Sequence, residues 1–444
     1  MSVTTATGTV LPAPGTPPAG APAVVSGTGR AARARARVQA GLSGSPGRLR
    51  IALTLAALAG FVFALLGGQA FLLRSSSLDQ AQQDVQQLVR VQGIRTNLVQ
   101  ADAQATNAFL AGGLEPAASR AAYTAAIDAA TRDIVLAARA NPDDADQLAG
   151  VGRTVATYTG LIESARANNR QGFPLGNAYL GQASQLLRTD ALPKLSEVVD
   201  NGQRRVSHGY NDRAGAAFLF AGAGIVVLIV LLGVQGWLAR HTHRYFNVPL
   251  ATATAAVVLS LLVGVIVMGA VQSQADNIRT GPYTAAVGLA QARVAGFDAK
   301  SAENLTLINR GSGQKNEADW KAAVAFAKRG LAIAGRTGVG ADATKRFEDY
   351  SQVHTAIRKL DDGGQWDQAV ARASSADADG GSGSFKAFAD ASNAALDQQE
   401  KQVVDGFTAS FAALYVAGIL ALLAGLAAAL LGGLGVLQRL EEYR

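Results

Sequence analysis

The sequence has no cysteine and only four histidines in 444 residues. Without cysteine there is no disulfide framework, thiol nucleophile or cysteine-based zinc site. His208, His241, His243 and His354 leave little for metal chemistry. Charge is scarce too: 16% of residues are charged, against roughly 25% in soluble domains, while 49% are hydrophobic. That imbalance points to membrane segments. No stretch carries a strand pattern, so the expected fold class is an all-α membrane protein.

The net charge of +7 is unevenly placed. Residues 1–50 hold six arginines and no acid, and Arg240 and Arg244 stand in a short acid-free stretch at 239–248. Residues 74–213 and 272–409 are close to neutral. The excess therefore reports topology rather than a nucleic-acid surface, and no nucleic-acid partner is expected.

Four uncharged apolar runs, 51–73, 215–239, 249–271 and 411–437, each reach the ~20 residues a membrane helix needs. Trp237, Tyr245 and Phe246 flank the second and third, where aromatic belts form. The arginines before the first run and in the 240–248 loop place both termini in the cytoplasm of a multi-pass cell-membrane protein. Residues 74–213 and 272–409 then lie outside, and 438–444 form a minimal cytoplasmic end. The first run exceeds the 7–15 apolar residues of a cleaved signal and reads as an uncleaved anchor. The Pro/Ala/Arg-rich tail, residues 1–50, cannot bury a core and is expected to be disordered.

The chain also repeats itself. YTAAIDAATRDI (123–134) recurs as WKAAVAFAKRGL (320–331), 197 residues on. Asn107 and Leu110 match Asn304 and Leu307 at that spacing, and the first and third apolar runs are offset by 198. Tyr158 and Arg166 match Tyr350 and Arg358 at 192. One unit, helix–ectodomain–helix, is thus written twice in the same orientation, unlike the inverted repeats of transporters. Within each copy, breaks at GGLEP, ANPDDA and GFPLG, and at RGSG, GRTGVG and DDGG, divide the ectodomain into four helices. The outcome is two tandem extracytoplasmic four-helix bundles, the last helix of the first kinked at Pro193.

Tyr123, Ile127, Ala130 and Ile134, like Trp320, Val324, Ala327 and Leu331, fall at 4-3-4 spacing and form a core stripe. Arg132 and Arg329 lie beside it. A solvated edge is the commoner role for such arginines; the functional one is contact with an anionic ligand or partner through the planar donor fork.

No active site emerges. His241 and His243 lack further ligands, and GRTGVGADATK (335–345) fails the phosphate-loop spacing. The apolar runs hold no ionisable residue for a transport path, and their glycines at 222–224 and 432–435 suit close helix packing. No catalytic, cofactor or metal site is expected, and no enzyme activity.

Each ectodomain resembles the four-helix-bundle sensory domain of bacterial chemoreceptors and histidine kinases, down to the Gly-then-Ala turn before the last helix (Gly172 and Ala178; Gly364 and Ala369). The whole architecture, with its basic tail, four spans, tandem helical ectodomains and minimal C-terminus, is similar to the GlnX-type actinobacterial membrane signalling adaptors. That resemblance implies an amino-acid signal of the glutamate/aspartate class, delivered by a solute-binding lipoprotein outside and passed to a cytosolic Ser/Thr protein kinase inside. It carries no site residue over. From the residues themselves, Arg240, His241, His243 and Arg244 form the candidate cytoplasmic contact. A direct chemoreceptor-like receptor, a cell-envelope scaffold, a transporter accessory protein and a homo-oligomer stay open.

Overall fold

The computed structural model describes residues 45–111, 115–171, 175–209, 214–242 and 247–441, and every regular element among them is helical. In chain order these are α1 Ser45–Ala111, α2 Ala117–Ala140, α3 Ala145–Arg170, α4 Leu175–Leu186, α5 Leu192–Gly209 and α6 Ala214–Thr242. There follow α7 Val248–Ile278, α8 Thr284–Ile308, α9 Gln314–Gly335, α10 Ala341–Asp362, α11 Trp366–Ser374 and α12 Gly381–Glu441. The tail before Ser45, together with His243 and Arg244, lies outside the described residues. Arg48 and Arg50, read from sequence as tail, are already on α1.

Four helices are long and apolar enough to cross a membrane: the inner part of α1, α6, α7 and the C-terminal part of α12. They close a square in which α1 packs on α12 and α6, and α7 packs on the same two. Phe220 stands at its centre, with Phe63 and Phe71 at ring-centroid distances of 5.9 and 5.1 Å. Leu58, Phe61, Ile229, Ile266 and Leu430 point outward and stay exposed, an apolar belt that a soluble monomer does not carry.

The α1–α12 contact is backbone on backbone. A methyl group on Gly60 would fall inside the main chain of Ala429, and one on Gly425 inside that of Ala64. Between apolar helices in lipid, such small residues supply the van der Waals contact that holds the pair. Of the glycines expected to pack, Gly432 faces Ala56, Gly435 faces Asn247 and Gly224 faces Leu261, whereas Gly222 and Gly433 meet open space.

α1 is 67 residues long and α12 is 61, rods of about 100 and about 90 Å at 1.5 Å per residue. Beyond the apolar layer, the outer half of α1 joins α2, α3, α4 and α5 around one core, with Leu98, Tyr158, Ile162 and Leu180 fully buried. α8, α9, α10 and the outer part of α12 enclose a second, built on Phe347, Tyr350 and Phe388. The repeated stripe faces these cores: Tyr123, Ala130 and Ile134 are buried in one, and Trp320, Val324, Ala327 and Leu331 in the other.

The kink expected at Pro193 takes a particular form. A π-turn, Leu187–Ala191, leads into α5, because proline has no N–H for the carbonyl four residues back and the helix widens around the lost bond. Pro282 produces a second π-turn, Arg279–Tyr283, between α7 and α8, where Thr284 Oγ1 donates to the Arg279 carbonyl at 2.7 Å. In the second unit the stretch corresponding to the first π-turn is an open break between Ser374 and Gly381.

Gly425→Leu drives a side chain into α1 and is expected to cost about 1–3 kcal/mol. The thermal midpoint of the detergent-purified protein should fall, while Gly433→Leu, facing open space, leaves it in place. Equal midpoints for the two variants would contradict the α1–α12 backbone contact.

Candidate functional site

The two helical units meet along α1 and α8. Each lends apolar side chains to the other: Val99 and Ala103 of α1 belong to the second core, and Leu305 of α8 to the first. Polar contacts also join the two halves of the chain: Arg74 of α1 donates to Gln272 of α7 at 2.6 Å, and Asn304 of α8 donates to Thr106 of α1, next to its counterpart Asn107, at 3.2 Å.

The seam's polar centre is Asp102, a carboxylate with almost no solvent contact. Its Oδ1 accepts from Ser184 Oγ at 2.6 Å and Tyr158 OH at 3.4 Å, and its Oδ2 from Ser301 Oγ of the other unit at 2.5 Å. Arg188, on the π-turn, lies 3.9 Å from Asp102 Oδ2, donates to Asp298 at 2.7 Å and to Ser301 Oγ at 3.2 Å. Burial raises the Asp102 pKa, opposed by Arg188 and the two serine hydroxyls. For Arg188 burial pulls down, yet Asp298 and Asp102 leave it raised.

A cavity flanks the seam on each side. One, about 270 Å³, is lined by Arg90, Asp133, Arg293, Asp397 and Glu400. The other, about 530 Å³, is lined by Arg95, Arg188, Asp200, Asp298 and Asp319. The two walls share part of the repeat: Arg95 and Arg293 are 198 apart, and Asp200 and Asp397 197. Arg293 is 7% exposed, with Nη1 donating to the Ala389 carbonyl at 2.6 Å and Ser392 Oγ at 3.1 Å. Arg95 donates to Gln92 at 3.3 Å, and its Nε is buried without a partner. Burial lowers the pKa of both arginines, only partly offset by the acids across each cavity. Burial also raises the pKa of Glu400, helped by Asp397 and opposed by Arg293. Each wall sets two arginines against three acids, a field of both signs.

The second core holds a separate ionic cluster. Lys300 donates to Glu303 at 2.6 Å, and His354 sits between Glu303, at 2.7 Å from Nδ1, and Glu317, at 3.3 Å from Nε2. The Trp320 ring stacks on the His354 ring with centroids 3.6 Å apart. Burial works against the charged form of Glu303, but Lys300 and His354 hold its pKa down to about 2. Burial likewise opposes imidazolium at His354, yet the two carboxylates win and raise its pKa. In the first unit Arg166, the counterpart of Arg358, pairs with Glu115 at 2.8 Å and Glu163 at 2.6 Å and lies 4.3 Å over the Tyr123 ring.

The sequence candidates lie elsewhere. Arg132 is exposed and 3.6 Å from its neighbour Asp133; Arg329 is exposed and sits 4.2 Å over the Phe326 ring. Arg240 is exposed near the end of α6, His241 follows it on that helix, and His243 and Arg244 are outside the described residues. Among the described residues no cluster of three or more His, Asp or Glu side chains is arranged to hold a metal. Asp102, Arg188, Arg293 and His354 were not singled out in the sequence. The repeat offers one signal for part of this set: Arg95 with Arg293 and Asp200 with Asp397 are charged at both copies.

The ionic cluster sets a pH window. Glu303, held below its ordinary 4.5, contributes stability that is present above that value and is lost as pH falls toward about 2. His354, raised above 6.5, contributes fully below 6.5 and is lost as pH rises through its raised value. The thermal midpoint of the second unit should therefore decline on the alkaline side of 6.5, and His354→Gln should flatten that decline. A pH-independent midpoint in wild type from 6 to 9 would contradict the assignment.

No curated protein and no solved structure matches the chain. Residues 77–211, running from the outer half of α1 through α5, match the family described as Actinobacterial sensor domain. The match supports an actinobacterial sensor protein with a signalling role.

Proposed function

We propose that the protein is a non-enzymatic transmembrane sensor-adaptor of the cell membrane. It relays an extracytoplasmic amino-acid signal of the glutamate/aspartate class, presented by a solute-binding lipoprotein, to a cytosolic Ser/Thr kinase. The two helical units are its four-helix-bundle sensory domains, facing outward, and the arginine-flanked ends of the apolar helices face the cytoplasm. The observation that carries the relay is α1: Asp102 at the seam and Arg48 at the far end belong to one unbroken helix. A contact that moves α1 against α8 outside moves the same rod against α12 and α6 inside. Shifts of about 1–2 Å suffice for such signalling helices, and the signal leaves by contact with the cytoplasmic segments.

A second reading is favoured by the two cavities. Their buried arginines and facing acids suit the carboxylates and ammonium group of a free amino acid, so the seam can bind the ligand directly. Calorimetry on the full-length protein in detergent separates the two. Direct binding predicts a micromolar glutamate or aspartate isotherm without lipoprotein, weakened about tenfold or more in Arg293→Ala, since a hydrogen bond to a charged group contributes about 1.5–3 kcal/mol. The lipoprotein route predicts no isotherm until the loaded lipoprotein is added.

The cytoplasmic side has its own test. Replacing Arg240, His241, His243 and Arg244 with Ala, with insertion verified by protease protection, should abolish kinase-substrate phosphorylation in response to the amino acid. An unchanged response would take this loop out of the relay.

A further inference from the structure

At the arginine-bearing end of the apolar layer, three of the four helix seams are closed by specific contacts. Gln235 of α6 donates to the Leu250 carbonyl at 2.9 Å and to Thr254 Oγ1 at 2.6 Å on α7. Asn247, capping α7, donates to the Gly435 carbonyl of α12 at 2.7 Å, and Gly432 of α12 sits on Ala56 of α1. The fourth seam, α1 with α6, is marked instead by a groove. It holds about 440 Å³ and runs along the outside of the two packed helices, walled by Ile51, Leu55, Ile229, Gly233 and Trp237.

The groove's chemistry is lopsided. Its single charged lining residue is Arg48, at the mouth, and no hydrogen bond or ion pair of Arg48 occurs among the described residues. Arg50 and Arg240 are exposed at the same end, Arg240 one turn beyond Trp237 on α6. Neither flanking sequence, 1–50 nor 239–248, contains an acid. An apolar slot within a hydrocarbon layer is filled by an acyl chain. The arginines Arg48, Arg50 and Arg240 at this end favour a headgroup carrying net negative charge, and an indole beside them belongs at headgroup level.

We propose that the α1–α6 groove is a binding site for an anionic phospholipid, its acyl chain against Ile51, Leu55, Ile229 and Gly233 and its phosphate at Arg48. The lipid is a removable wedge on the helix that carries the seam outside: its presence sets the spacing of α1 and α6 where the signal leaves the bilayer. The site rests on reading these helices as membrane spans.

Trp237 supplies the test, because the other tryptophans, Trp320 and Trp366, are in the second helical unit, away from the apolar layer. The full chain is placed in phosphatidylcholine nanodiscs containing a small fraction of either dibrominated phosphatidylglycerol or dibrominated phosphatidylcholine. Brominated phosphatidylglycerol should quench the Trp237 component several-fold more effectively, and Trp237→Phe should remove that component. Arg48→Gln should reduce the preference about fivefold, the equivalent of about 1 kcal/mol for one arginine at an anionic surface. Gly233→Leu, whose added side chain enters open space, should fill the slot and remove the preference without loss of folding. Equal quenching by the two lipids, or a preference untouched by Arg48→Gln, overturns the site and leaves the spans standing. No quenching by either lipid overturns the site together with the spans.

Discussion

Asp102 has to be satisfied without water, and what satisfies it decides how the two helical units sit. Its oxygens are claimed by Tyr158 and Ser184 from its own unit and by Ser301 from the other. A buried carboxylate left short of a partner costs about 1–3 kcal/mol or more, so separating the units is opposed by a polar term as well as by the exposure of Val99, Ala103 and Leu305. The seam is therefore specific in register, not merely apolar. Because α1 also forms the backbone contact with α12 through Gly60 and Gly425, a register set at Asp102 extends into the apolar layer.

The duplicated units are not used alike. The first turns its buried acid outward, across the seam. The second, at the corresponding stretch of α8, turns Glu303 inward to Lys300 and His354 and ties its own core. Buried ion pairs are weak evidence of stability, since desolvation consumes much of the attraction. They do fix geometry, and here they hold His354 between Glu303 and Glu317 with its ring stacked on Trp320. The first unit, with the π-turn that carries Arg188, is the one whose polar network reaches its neighbour.

Much of the architecture was legible because periodicity and length report burial directly. Four uncharged runs, the repeat at 197, and the Tyr123 and Trp320 stripes all correspond to helices or buried faces in the structure. The site was less legible for a physical reason. A charged residue on a helix facing a second, similar helix reads in sequence like any solvated edge. Asp102 and Arg293 are flanked by alanines and polar residues, and nothing local marks them as buried. Arg132 and Arg329 stood out because they adjoin a conspicuous stripe, yet the stripe faces the core and they face away from it. Only the interlocking of two units distinguishes a seam charge from a surface one, and that is a tertiary fact. The π-turns were half legible: Pro193 and Pro282 forbid a helical hydrogen bond, but sequence does not say whether the helix bends, breaks or widens.

How the chain conducts a displacement follows from where its helices are continuous. α1 and α12 pass from the outer units into the apolar layer without interruption, whereas α7 reaches α8 through the Arg279–Tyr283 π-turn. A widened turn lacks part of the regular hydrogen-bond ladder and yields before a regular helix does. The regular ladder is thus interrupted between α7 and α8 and unbroken along α1 and α12. The two copies, equal in plan, are unequal in continuity. At the arginine-bearing end α12 is tied to α1 by Gly432 on Ala56 and to α7 by the Asn247 bond to the Gly435 carbonyl. Under the proposed relay, the α1–α6 side with its groove is therefore where α1 has room to shift.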